Sequence, residues 1–217
     1  MEWVRLILAG LAAYLLGSIP MGYLVIYAMK GQDIRRHGSG RTGGTNALRA
    51  GGRWAGIATG LGDILKGVAA ILVARWIMGD GEGLVWAEVL AGFGAVIGHN
   101  ASIFLGFRGG AGTGPNIGVC IALWPLSALW LIALLPFGLN VIRYASLTSL
   151  LIALVIPVSL AIRAALGAGP WEHVIYAVAA AAAVAWALRP NIKRLRAGTE
   201  PRAPKLDLAD PPPSNMR

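Results

Sequence analysis

Pro115-Asn-Ile-Gly-Val-Cys-Ile-Ala-Leu-Trp-Pro-Leu-Ser-Ala-Leu-Trp-Leu-Ile-Ala-Leu-Leu-Pro-Phe-Gly-Leu-Asn-Val-Ile142 is the stretch on which the fold turns. It reads either as one long membrane span or as two short ones. Charge on either side decides between them. Lys and Arg gather on the cytoplasmic ends of membrane helices. The segment 30–53 holds Lys30, Arg35, Arg36, Arg41, Arg49 and Arg53, and is therefore expected in the cytoplasm. The turn Gly79-Asp-Gly-Glu-Gly83 has no basic residue and suits the outer face, and Arg108 brings the chain back. A single span over 115–142 would then put Arg143 outside, together with Arg189, Lys193, Arg194, Arg196, Arg202 and Lys205. A break near Trp124-Pro125 returns all of them to the cytoplasm. Proline is tolerated at a helix start and breaks the hydrogen-bond ladder inside one. The two halves are each shorter than the ~20 residues of a standard span.

The rest of the chain fits that frame. Of 217 residues, 56% are hydrophobic and 13% charged, against about 45–50% and roughly 25% in soluble domains. Apolar segments run at 3–29, 54–79, 84–107, 115–142, 146–166 and 171–188. The expectation is an all-α integral membrane protein, a bundle of seven transmembrane helices with the N-terminus outside and the C-terminus cytoplasmic. Residues 1–202 form one membrane domain, and 203–217 a disordered Pro-rich tail. The first apolar segment is too long for a signal-peptide core and reads as a retained span. The net charge of +9 lies in loops beside apolar segments, which argues for cytoplasmic loops and anionic lipid and against nucleic acid. The single cysteine, Cys120, excludes a disulfide framework within the chain.

Four polar elements share the cytoplasmic face: the loop Asp33–Arg53, the loop 106–114, the turn Arg143-Tyr-Ala-Ser146 and the stretch Pro190-Asn-Ile-Lys-Arg-Leu195. Two are glycine-rich and carry arginine. Glycine lets backbone N–H groups turn toward an anion, and a helix start adds more of them. The competing reading is that the glycines serve tight turns and close helix packing. Asp63 and Lys66, three residues apart inside an apolar segment, share a helix face and can pair. His99 can be a general base, a phosphate ligand or a packed side chain. His37 is a phosphate ligand or a solvated loop residue. No metal is expected, because no second ligand stands at suitable spacing. Neither a G-x-S-x-G elbow nor a Walker lysine loop is present.

Taken in order, Gly17-Ser-Ile-Pro20, Asp33–Arg49, Gly62-Asp-Ile-Leu-Lys-Gly67, Gly98-His99, Phe107-Arg-Gly-Gly-Ala-Gly112, Arg143-Tyr-Ala-Ser-Leu-Thr-Ser149 and Asn191-Ile-Lys-Arg-Leu195 with Gly198-Thr-Glu200 resemble the bacterial acyl-phosphate-dependent glycerol-3-phosphate acyltransferases. The resemblance covers roughly 10 to 200. It implies a multi-pass protein of the bacterial inner membrane, its active site facing the cytoplasm. The reaction implied moves a fatty acyl group from acyl phosphate to the sn-1 hydroxyl of glycerol 3-phosphate, giving lysophosphatidic acid. No cofactor and no metal are implied, and the expected state is a monomer among membrane lipids. By position, Ser39, Arg49, Asn191 and His99 are the catalytic residues. Gly38, Gly40, Arg41, Thr45, Asn46, Arg108, Gly109, Gly110 and Gly112 bind substrate phosphate, with Asp63 and Lys66 as an ion pair or support. The pattern departs from the family at Arg41, where an asparagine is usual, at Ala111 for lysine and at Leu188 for histidine. These departures leave a second reading: a catalytically silent relative that binds a phosphorylated lipid precursor or regulates an active paralogue. A small-anion transporter is the third, for which only Asp63 and Lys66 lie at mid-membrane.

Overall fold

The computed structural model describes residues 2–206, all helical where regular structure forms. In chain order the helices are α1 (Glu2–Ser18), α2 (Met21–Lys30), α3 (Gly44–Met78), α4 (Leu84–Asn100), α5 (Thr113–Leu123), α6 (Ala128–Phe137), α7 (Ala145–Ala165), α8 (Glu172–Ala187) and α9 (Arg189–Arg196). Segments long and apolar enough to cross a membrane are Glu2–Lys30, Gly44–Met78, Leu84–Leu105, Pro125–Ile142 and Ala145–Ala165. A sixth arises if α8 and α9, bent by 60° at Leu188, act as one. The seven spans argued from charge exceed this count by α5, which at 11 residues rises only about 16 Å. The break itself lies where the charges place it: Trp124 leaves the helical region (φ −148°, ψ 90°) and Pro125 begins a short 3-10 turn before α6.

Two boundaries differ from the sequence reading. The basic loop is helical from Gly44 onward, so only about half of it is loop. At Gly52 (φ 80°, ψ −174°) the opening turns of α3 bend away from its membrane-crossing body. The tail placed from 203 begins inside packed structure, with Ala203 1% exposed, and its residues from 207 lie outside the described ones.

Large apolar side chains face outward, among them Leu8, Leu72, Trp76, Leu129 and Leu154. The interior carries many small ones, such as Ala9, Ala13, Ala70, Ala74, Ala91, Ala95, Ala177 and Ala180, beside larger ones such as Ile71, Ile117, Leu131 and Tyr176. Lipid is as apolar as leucine, so burial of apolar surface does little to hold helices together there. Close van der Waals packing between small residues does that instead. α1 crosses α4 with Gly17 against the Ala95 carbonyl and Gly98 against the Tyr14 carbonyl; a Cβ at either glycine would lie 2.2 Å from that oxygen. α3 meets α5 likewise, Gly118 facing the Ile64 carbonyl at 1.9 Å for an added Cβ.

Gly98→Leu and Gly118→Val are expected to lower the thermal unfolding midpoint in detergent, by an overpacking cost of about 1–3 kcal/mol or more. Gly10→Ala, whose Cβ meets only Leu90 at 3.7 Å, should leave it unchanged.

Candidate active site

The loop between α2 and α3 is closed on one side chain. Asn46, in the first turn of α3 and 2% exposed, donates from its amide to the carbonyls of Arg41 at 2.8 Å, His37 at 3.0 Å and Ile34 at 3.3 Å. Its oxygen accepts the Ser39 N–H at 3.0 Å. A buried amide must find partners, and here they all belong to its own loop. The sequence offers Asn46 as a phosphate donor; the structure uses it as a clasp. Gly38 turns against it at φ 52°, where a Cβ would lie 2.3 Å from the Asn46 oxygen. At the loop's start, the Arg35 guanidinium holds the Asp33 carboxyl below the usual carboxylate range.

The loop so shaped walls a cavity of about 680 Å³. Three helices begin on that wall: α3 at Gly43, Gly44 and Thr45, α5 at Thr113 and Gly114, and α7 at Ala145 and Ser146. The first N–H groups of a helix have no intrahelical acceptor, and its dipole makes that end positive. Two helices arrive with their C-terminal ends, α4 at His99 and α6 at Pro136. The His99 carbonyl is already taken by the Gly110 N–H at 3.0 Å. Arg41, Arg49 and Arg194 add three guanidinium groups to the lining, while Ile132, Leu135, Pro136 and Leu139 make one side apolar. One cavity thus combines helix starts and guanidinium groups with an apolar face, and the carboxylates of Asp63 and Glu200 also line it.

Of the residues singled out by sequence, Gly38, Ser39, Arg41, Thr45, Asn46, Arg49, Asp63, His99 and Asn191 line this one cavity. So do Ala111 and Leu188. Gly40, Arg108, Gly109, Gly110 and Gly112 do not, and Arg108 is exposed. The second glycine loop is shaped by packing: a Cβ at Gly109 would sit 1.9 Å from the His99 carbonyl, and one at Gly110 2.0 Å from His99 Nε2. Lys66 lies beneath the floor, its ammonium 2.9 Å from Asp63 Oδ1, 2.9 Å from His99 Nδ1 and 2.8 Å from the Ile19 carbonyl. Asp63, Lys66 and His99 form one buried cluster that joins α3 to α4.

Two residues that stand in the sequence motifs without an assigned role complete the wall. Glu200, 9% exposed, accepts from Asn191 Nδ2 at 2.7 Å, Ser146 Oγ at 2.9 Å and Arg194 Nε at 2.8 Å. Burial pushes its carboxyl up, but the three hydrogen bonds outweigh this and hold it below the ordinary value. Ser146 lies 54 residues from Glu200 along the chain, a separation at which no local pattern signals contact.

Three buried polar atoms on the cavity wall lack a partner among the described residues: Arg41 Nη1, Thr113 Oγ1 and Asn191 Oδ1. Arg41 donates through its other terminal nitrogen to the Ala187 carbonyl. Burial, with Arg194 nearby, pushes the guanidinium below its usual range, yet arginine remains a cation. A buried cation with one free donor favours an anion beside it. Among the described residues no group of three His, Cys, Asp or Glu could hold a metal ion.

Comparison with known proteins gives this arrangement its context. The family model described as glycerol-3-phosphate acyltransferase matches residues 7–198. A glycerol-3-phosphate acyltransferase of Thermosynechococcus vestitus is 43% identical over 205 residues, covering 90% of this chain and 93% of that protein. Glycerol-3-phosphate acyltransferase 3 of Dehalococcoides mccartyi is 40% identical over 209 residues, covering 90% and 94%. The crystal structure of PlsY, an integral membrane glycerol 3-phosphate acyltransferase, in its glycerol 3-phosphate form shares the fold with a TM-score of 0.77 at 32% identity, over 91% of this chain and 94% of that one. Its lysophosphatidic acid form gives 0.75 at 33%, over the same shares. With its apolar helices and lipid-facing leucines, the molecule is a multi-pass membrane protein, and this chain belongs to the glycerol-3-phosphate acyltransferase family.

Proposed function

We infer that the protein transfers a fatty acyl group from acyl phosphate to the sn-1 hydroxyl of glycerol 3-phosphate, giving lysophosphatidic acid. The observation that carries this is a single cavity that brings three helix starts and three arginines together with the apolar side chains of Ile132, Leu135, Pro136 and Leu139. Both substrates carry phosphate, which only accepts hydrogen bonds when fully ionised, and one carries an acyl chain. Free donors at Arg41 Nη1 and Thr113 Oγ1 suit phosphate oxygens. The free acceptor Asn191 Oδ1 suits the proton of a hydroxyl. Glu200 holds the Asn191 amide by its nitrogen and leaves this oxygen without a partner among the described residues.

The chemistry then needs positioning and charge stabilisation. The acceptor hydroxyl oxygen bonds to the acyl carbon while the bond from that carbon to the phosphate oxygen breaks. The released phosphate takes the hydroxyl's proton. Ser39, Arg49 and the N–H groups at Gly44 and Thr45 meet the carbonyl oxygen as it gains charge. The buried Asp63–Lys66–His99 cluster supports the floor. Ala111 and Leu188 line the wall without charge, and Arg41 supplies a cation beside them. Gly40, Arg108, Gly109, Gly110 and Gly112 act through loop shape and helix packing.

The same reading sets the molecule in its membrane. Seven crossings, with α5 and α6 as separate short spans, leave the N-terminus outside and put the cavity, α9 and the C-terminus in the cytoplasm. The setting is the bacterial inner membrane, and the working unit is a monomer without a cofactor.

Arg41→Ala and Arg49→Ala should each lower kcat/KM for lysophosphatidate formation in lipid. Loss of a charge-assisted hydrogen bond costs roughly 1.5–3 kcal/mol, or about ten- to a hundredfold. Undiminished turnover in either removes that residue from the site. Glycerol 3-phosphate binding by calorimetry without any turnover in the unmodified chain would favour the silent relative instead.

Glu200 gives a pH signature. A carboxyl whose folded value is depressed stabilises the fold fully above its ordinary value and loses that contribution as pH falls through the folded one. Unfolding midpoints and activity should both decline on the acid side in that window, and Glu200→Gln should flatten the dependence. An identical acid limb in Glu200→Gln would assign it to other groups.

A further inference from the structure

Beyond α9 the chain continues to 206 without regular structure, and the family match stops at 198. This short segment is nonetheless pinned at both walls of the cavity. Arg49 Nη2, on α3, approaches the Arg202 carbonyl at 3.5 Å. The next residue, Ala203, pairs with Arg143 in both directions: its N–H donates to the Arg143 carbonyl at 2.7 Å, and Arg143 Nε donates to the Ala203 carbonyl at 3.2 Å. Leu206 does the same with Asn140, its N–H on Oδ1 at 2.9 Å and its carbonyl receiving Nδ2 at 3.5 Å. Asn140 and Arg143 lie at the corner between α6 and α7. Residues 202–206 thus join α3 to this corner, and both elements contribute to the cavity lining. Pro201 and Leu206 face inward as part of its lining. Arg143 sits at φ 65°, a left-handed conformation that costs a non-glycine residue energy and marks a constrained site.

We propose that residues 200–206 are a strap that closes the cavity over bound acyl phosphate and so decides which nucleophile receives the acyl group. The proposal rests on the acyl-transfer reading above. Acyl phosphate is a mixed anhydride open to two attackers. The glycerol hydroxyl forms an ester, the bond from acyl carbon to phosphate oxygen breaks, and the proton leaves on phosphate. Water attacking the same carbon breaks the same bond and yields fatty acid and inorganic phosphate. A closed site protects a reactive group from water. Pro201 and Leu206 place apolar surface over the mouth, and the strap's bonds to Asn140 are solvent-exposed and individually weak, so it can open for entry and release.

The test uses the full chain in lipid vesicles, given acyl phosphate labelled in the acyl chain together with glycerol 3-phosphate. Label is counted separately in lysophosphatidate and in free fatty acid. Three variants are compared: Arg143→Gly, Leu206→Ala, and replacement of residues 201–206 by a glycine-serine run. Glycine takes a positive φ without strain, so Arg143→Gly removes the side-chain bond to Ala203 without adding backbone strain at that position. The fatty-acid share should rise severalfold in all three, most in the replacement, while lysophosphatidate continues to form. An unchanged partition in folded variants overturns the proposal. So does loss of both products, which would place the strap in the chemistry itself. If the unmodified chain makes no lysophosphatidate, the acyl-transfer reading fails first and this one with it.

Discussion

The Lys66 ammonium stands where three parts of the fold meet. It is paired with Asp63 on its own helix, bonded to His99 on α4, and bonded to the Ile19 carbonyl at the break between α1 and α2. A charge inside a membrane protein is costly unless partnered on all sides. Removing one member of such a cluster leaves the others buried and uncompensated, typically at about 3–5 kcal/mol. The cluster therefore fixes how α1, α3 and α4 sit together, and Asp63 and His99 present its upper face to the cavity. The glycine crossings of α1 with α4 and of α3 with α5 bring the backbones close enough for this cluster to form.

Above that floor, electrostatics follow from topology. Three helices of the bundle begin at the cavity, so backbone N–H groups converge there without any special motif. The arginines add to a field the backbone already makes. This bears on the uncharged positions Ala111 and Leu188. A site whose positive potential is spread over helix starts, Arg41, Arg49 and Arg194 tolerates the absence of a charged side chain at one or two positions better than a site built on a single cation. Arg41 has one terminal nitrogen on the carbonyl of Ala187, the residue before Leu188, and the other without a partner among the described residues.

Much of this was legible in the sequence, for physical reasons that differ from element to element. The break at Trp124-Pro125 could be read because proline and charge asymmetry point the same way. The helical start of α3 at Gly44 could not, since Gly43-Gly-Thr45 looks like loop and the Asn46 clasp that organises it has partners up to 12 residues back. Asn46 illustrates a wider ambiguity: an amide in a basic loop suits phosphate and suits backbone equally, and burial decides. Gly109 and Gly110 pose the same choice, and both pack closely against the His99 carbonyl and ring. Glu200 and Ser146 were invisible as a pair because their contact is purely tertiary.

The central claim is that this cavity joins an acyl chain to a phosphorylated acceptor. It is tested most directly by product stoichiometry with the unmodified protein in lipid, supplied with acyl phosphate and glycerol 3-phosphate. Lysophosphatidate and inorganic phosphate should appear in equal amounts as acyl phosphate disappears. Binding of glycerol 3-phosphate without either product, or phosphate released with no lysophosphatidate, would contradict it.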